Sequence, residues 1–127
     1  MSRHINQIET PIGLAVDQDM IRTYAEITDD RNRIHIDPEF AATTSMGGVI
    51  AHGTLSMNLI WQWMGRTLGK ESLSGAKLDI RFLKPVRPGD RVEAGGKCTV
   101  DNPNRYVVWI RNQSGENVIE GSVELAE

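Results

Sequence analysis

A chain of 127 residues is long enough for one domain with a real core and too short for two. Its net charge of -3, with no local cluster of Lys or Arg, argues against general nucleic-acid or membrane-surface binding, since both need a basic footprint. A single cysteine, Cys98, excludes an internal disulfide framework and a cysteine-based zinc site.

The opening "MSRHINQIET" lacks the apolar stretch of a signal peptide. The longest apolar run, around residues 49 to 64, is interrupted by His52, Asn58 and Gln62 and is too short to span a bilayer. A soluble, cytoplasmic protein with one domain over residues 1 to 127 is expected.

Taken in chain order, "ETPIGLAV" reads as a short strand. Asp17 then stands where an N-cap belongs, ahead of a helix whose Met20, Ile21, Tyr24 and Ile27 recur at helical spacing. An irregular charged loop follows, "TDDRNRIHI". Asp37-Pro38 predicts an N-cap followed by proline at the first helical position of a short helix reaching about Thr44, broken by Met46-Gly47-Gly48. The segment "HGTLSMNLIWQWMGRTLGK" is the strongest helix: Asn58, Gln62 and Arg66 form one narrow polar stripe at steps of four, and nearly everything else is apolar. A helix so widely apolar is buried on most sides. Gly69 is its expected stop.

The period then changes. "AKLDIRFLKPV" alternates Leu78, Ile80 and Phe82 with Lys77, Asp79 and Arg81, a strand signature. Three more strands follow, "RVEAGGKCTV", "RYVVWIRN" and "NVIEGSVEL", separated by the turns "RPGD", "DNPN" and "QSGE". The double glycine in the first predicts a bulge or sharp bend. The fold class is therefore α+β, with an antiparallel sheet wrapped around one long, nearly apolar helix.

Among the chemistry-bearing residues, His4 sits in the N-terminal stretch with no functional company. His35 alone would read as a half-buried loop histidine bonded to a carbonyl. Its company shifts that balance, because Asp30, Asn32 and His35 share one loop leading into a capped helix. Downstream, His52-Gly53 opens the buried helix, where free N–H groups and the dipole favour negative charge and glycine admits a close substrate oxygen. The bland alternative, a glycine easing entry to the helix with His52 filling space, stands equal on this stretch alone. No metal-ligand spacing, no nucleophile elbow and no phosphate-binding glycine loop occurs, so no metal is expected.

Three motifs in order resemble one family. "ITDDRNRIHIDPEFA" looks like the hydratase signature of MaoC-like, (R)-specific enoyl-CoA hydratases, "GGVIAHGTLSMNLI" is similar to their His-Gly segment opening the central helix, and "IRFLKPVRPGDRVEA" to their strand–turn–strand. The resemblance runs from about residue 10 to the C-terminus. It departs at two positions: Asp29 stands where the family has glycine, and Arg33 where it has proline. Asp29 is expected to be solvated, and Arg33 to be free to pair with an acid.

The resemblance implies a hot-dog fold and reversible addition of water to a trans-2-enoyl-CoA, giving a (3R)-3-hydroxyacyl-CoA. Asp30 and His35 would activate the water and manage the protons, Asn32 would order the loop, and the Gly53 N–H would donate to the thioester oxygen. His52 and Thr54 are candidates for contact with the substrate, Trp61 and Met64 for lining its acyl pocket, and Arg81, Lys84 and Arg87 for the CoA phosphates. For Trp61 and Met64 plain core is the competing reading, and for the three cations a solvated face. No bound cofactor is implied, because CoA is part of the substrate. A homodimer or larger even assembly is implied, with no nucleic-acid or membrane partner. The alternatives are a hot-dog acyl-CoA thioesterase or a non-catalytic acyl-binding subunit.

Overall fold

The computed structural model describes residues 12 to 126. The strand expected from "ETPIGLAV" is seen as β1, Ile12–Ala15; the part of that reading before Ile12, like His4, lies outside the described residues. Asp17 caps α1, Gln18–Thr28, by accepting from the Met20 N–H at 2.8 Å, and Ile21 and Ala25 are its buried stripe.

The charged loop is more ordered than its sequence suggests. Asn32 accepts from the Ile34 N–H at 3.0 Å and caps a single helical turn, α2, Arg33–Ile36. Asp37 then caps α3, Pro38–Ala42, through the Phe40 N–H at 3.1 Å. The long helix α4, Gly53–Leu68, exposes Thr54, Asn58, Gln62 and Arg66 along one stripe and buries Ser56, Leu59, Ile60, Trp63 and Met64. Gly69, at φ 90°, stops it and leads to a 3₁₀ turn, Lys70–Leu73.

Four antiparallel strands complete the chain: β2, Lys77–Phe82; β3, Arg91–Cys98; β4, Arg105–Asn112; and β5, Asn117–Glu124. The sheet order is β1-β3-β4-β5-β2, so β1 and β2 are its edges. Val92, Ala94, Tyr106, Val108, Ile110, Ile119 and Val123 line the inner face, and α4 lies across it. Trp63 meets Tyr106 edge to face at 6.4 Å. This is the hot-dog arrangement. Burying each large apolar side chain of that seam contributes about 1.5–3 kcal/mol.

The double glycine does not form a bulge. Gly95 and Gly96 pair in unbroken register with Trp109 and Val108, and the register shift lies elsewhere, between Ile110 and Arg111. Close approach explains both glycines. A Cβ on Gly96 would meet the Val107 carbonyl at 2.5 Å and Trp63 at 3.1 Å, and one on Gly95 would meet the Trp109 indole at 2.8 Å. Gly96 lets Trp63 of the central helix come down onto the sheet, and Gly95 makes room for the Trp109 ring on the neighbouring strand.

Candidate active site

The loop and turn of α2 and the entry to α4 together line a cavity of about 430 Å³. Asp30, His35, Ile50, His52, Gly53, Thr54 and Ser56 are among the residues on its wall, and Phe82, Leu83, Lys84 and Val86 come from the segment after β2. Met46, Ala51, Pro85 and Ile119 add to an apolar lining on which a few polar groups converge, which is the character of a small-molecule site.

Local structure fixes each polar group. The Ile50 N–H bonds the Ile34 carbonyl at 3.3 Å, and the His35 Nδ1 lies 2.7 Å from the Ile50 carbonyl. A carbonyl only accepts, so Nδ1 carries the proton and the neutral ring keeps Nε2 as an acceptor. His35 is 9% exposed. Gln18 donates to its main-chain carbonyl at 3.0 Å and secures the turn from the other side. His52 places Nε2 2.9 Å from the Asp30 carbonyl, and its ring stacks on His35 with centroids 3.7 Å apart and planes 24° off parallel. Tyr24 closes the group, edge-on to His52 at 5.0 Å, with its hydroxyl donating to Thr54 Oγ1 at 2.7 Å.

Asp30, His35 and His52 each bring one potential ligand atom within 4.8 Å of the others. Stacking works against ligation, because in-plane lone pairs of near-parallel rings do not converge, and each ring already commits one nitrogen to a carbonyl. The arrangement suits proton handling better than an ion.

Gly53 is the first residue of α4, where main-chain N–H groups lack an intrahelical acceptor. Its missing side chain also has a steric reason: a Cβ would stand 2.6 Å from Phe82 Cε1. Both readings of this glycine therefore meet at one wall.

The two departures from the family pattern have local explanations. Asp29 adopts a left-handed backbone, φ 59°, which glycine takes freely and Asp tolerates better than most residues. It is solvated and pairs with Arg31 at 3.4 Å. Arg33 pairs with Asp37 at 3.1 Å and lies over the Phe40 ring at 4.3 Å. The Phe40 N–H, and then Arg33, hold the Asp37 carboxyl below its usual value.

The remaining candidates separate. Thr54 lies on the cavity wall. Trp61 and Met64 do not: Met64 is wholly buried in the core and Trp61 packs at its margin, because helical rotation carries both away from the cavity. Arg81 alternates to the outer face of the sheet and pairs with Glu120 at 3.0 Å, so it does not stand with Lys84 as its sequence neighbourhood suggests. Lys84 is on the wall and pairs with Glu116 at 3.1 Å. Arg87 is off the wall and donates to the Met46 carbonyl, pinning the loop that carries Met46 to the rim.

Sequence reasoning missed Phe82, Ser56 and the Ile50 carbonyl. Phe82 was legible only as a strand's inward position, and a main-chain carbonyl leaves no mark in a sequence.

With this geometry in place, comparison with known proteins is direct. Residues 2–115 match the MaoC like domain. The chain belongs to the MaoC-like family. It is 37% identical over 92 residues to nodulation protein N of Rhizobium meliloti, covering 68% of this chain and 57% of that protein. It is 31% identical over 113 residues to an (R)-specific enoyl-CoA hydratase of Rhodospirillum rubrum, covering 87% and 78%. Several of the curated relatives are matched over only about half their length. Among solved structures, the (R)-hydratase of A. caviae involved in PHA biosynthesis superposes with a TM-score of 0.76 at 27% identity, covering 95% of this chain and 96% of that one. The family thus holds hydratases and dehydratases of acyl thioesters. Among the described residues no helix is long and apolar enough to cross a membrane.

Proposed function

We propose that this MaoC-like chain is a hydro-lyase that reversibly adds water to a trans-2-enoyl-CoA to give a (3R)-3-hydroxyacyl-CoA. One observation carries the reading: the Asp30 carboxylate, the His35 imidazole and the start of α4 at Gly53 line one apolar cavity. Water held by Asp30 and His35 gives up a proton to this pair as its oxygen bonds to C3. Electrons move from the double bond onto the thioester oxygen, where the Gly53 N–H receives the charge. The pair then returns a proton to C2, so one water is consumed and the site is restored. A positioned acid–base group supplies about 10²–10⁴-fold in rate, and a fixed oxyanion donor about 10²–10³-fold.

Lys84 is the cation assigned to the CoA phosphates, because it is on the cavity wall and its exposed pair with Glu116 is weak enough to exchange. A second copy is assigned to the free edge of β2, where Phe82 and Leu83 are 57% and 45% exposed beside the cavity. Sedimentation showing only monomer would remove that part of the proposal.

The test is loss of enoyl absorbance with a panel of short, medium and branched trans-2-enoyl-CoAs, with thiol release read in parallel. Loss of the alkene without thiol is expected. Thiol release with the alkene intact would replace the hydratase with a thioesterase, and no reaction on any member would end the enzymatic reading.

A further inference from the structure

We infer that His52 is a positioning residue that ties the Asp30 loop and the His35 ring to the start of α4. The inference rests on the proposed hydratase reading for what is positioned, and on geometry alone for the tie. His52 is 3% exposed, so its ring is not a free surface group. Its Nε2 is 2.9 Å from the Asp30 carbonyl, and because a carbonyl only accepts, that nitrogen must carry the proton and donate.

The rest of Asp30's hold on the fold is local and long. Its N–H reaches Thr28 Oγ1 at 3.3 Å, and its carboxylate receives the Asn32 N–H at 3.5 Å. The short bond is the one from His52, twenty-two residues away. On its face, the same ring supports His35 at 3.7 Å. Along the chain, its next residue is Gly53. One side chain therefore touches both proton-handling residues and adjoins the oxyanion donor.

The other ring nitrogen separates positioning from space-filling. His52 Nδ1 is buried and has no hydrogen-bond partner, which disfavours the folded state. A phenylalanine would fill the same space, stack on His35 and leave no unpaired nitrogen. What only histidine adds is the N–H given to Asp30.

Two variants isolate that bond. His52→Phe keeps a stacked ring and loses the donor, while His52→Gln loses the ring and keeps an amide N–H at similar reach. His52→Phe is expected to lower kcat by about 10–100-fold, the scale of an ångström-level misplacement, with KM changed by less than about twofold. His52→Gln is expected to recover most of kcat. Hydrogen exchange of the main chain over residues 28 to 32, followed by mass spectrometry, reads the tie without turnover. It should be faster in His52→Phe than in the unsubstituted protein and in His52→Gln. Wild-type kcat in His52→Phe, equal loss in both variants, or unchanged exchange in His52→Phe would overturn the inference. An unsubstituted protein inactive on every enoyl-CoA would sink the hydratase reading while the exchange result still decided the tie.

Discussion

Two charged regions of this protein treat their charges in opposite ways. On the outer face of the sheet, Arg81 pairs with Glu120, Glu120 also receives an amide hydrogen from Asn117, Asn117 accepts from Arg111, and Arg111 lies over Trp109. Each charge in that chain of contacts is answered. In the loop from Asp29 to Asp37, the outer acids take the two arginines, Arg31 to Asp29 and Arg33 to Asp37. Asp30 is left between them with no ion pair among the described residues. The flanking pairs thus occupy the guanidinium groups that lie nearest in sequence to the acid beside His35. The departures from the family pattern at Asp29 and Arg33 supply one member of each pair, so they read as part of the arrangement that keeps Asp30 available.

The sharpest way to break this comparison is to remove one charge from each region. Asp30→Asn or His35→Ala is expected to lower kcat/KM on an enoyl-CoA by about 10²–10⁴-fold. Asp30→Asn should leave the melting temperature nearly unchanged, because its side chain is exposed and makes no ion pair. Glu120→Gln on the outer face should leave kcat/KM within about twofold and cost about 0–1 kcal/mol of stability, as exposed pairs do. Steady-state rates and thermal melts on the three proteins check both halves. Equal kinetic losses from the two regions would erase the distinction.

At the cavity wall, the proposed oxyanion donor Gly53 meets the Phe82 ring. Gly53→Ala keeps the N–H and adds a methyl 2.6 Å from the Phe82 ring, so it should cost about 1–3 kcal/mol through overpacking. Phe82→Ala in the same chain should restore most of that stability, since it removes the ring that the methyl meets. Activity sharpens the result. If close approach of the thioester oxygen also requires glycine, the double variant regains its melting temperature and stays slow. Recovery of both would mean that Phe82 alone dictates the glycine.

Much of this organisation was legible in the sequence, for reasons that differ by element. The long helix declared itself because Asn58, Gln62 and Arg66 keep a strict step of four in an apolar background. The strands declared themselves through alternation and turn residues, and Asp17 and Asp37 through cap chemistry. Asp30 and His35 stand out by sharing a loop that leads into a capped helix and Gly53 by opening the buried one, while three motifs in a familiar order suggest roles for them. What the sequence hid depends on tertiary contact. A glycine kept small by a close side chain or strand looks the same as a glycine in a bulge, which is why Gly95-Gly96 suggests a bulge that does not form. Arg81 and Lys84 are three apart in the chain but are separated by the sheet. The role of His52 lies in a bond to a carbonyl, and no side-chain pattern records it.

The smallest predicted effect is a pH dependence that again contrasts the site loop with the sheet. The Phe40 N–H and Arg33 hold Asp37 below its ordinary 3.8, and Asn112 and Lys84 hold Glu116 below its ordinary 4.5. A carboxyl depressed in the folded state binds its proton more readily when unfolded. Its stabilisation is therefore fully present above the ordinary value and is lost as pH falls through the depressed one. Melting temperature should hold level on this account down to about pH 5, then fall as Glu116 and Asp37 are protonated. Both groups are exposed, so the contributions are small and should shrink further in high salt. Asp37→Asn and Glu116→Gln should each flatten part of the fall, read by thermal melts from pH 6 to pH 3. Because Asp37 caps α3 and holds Arg33, protonating Asp37 should also release Arg33 within the site loop. Activity measured at matched folded fraction should then fall with Asp37→Asn. Unchanged activity in that variant would show that the arginine pairs stabilise the loop without keeping Asp30 available.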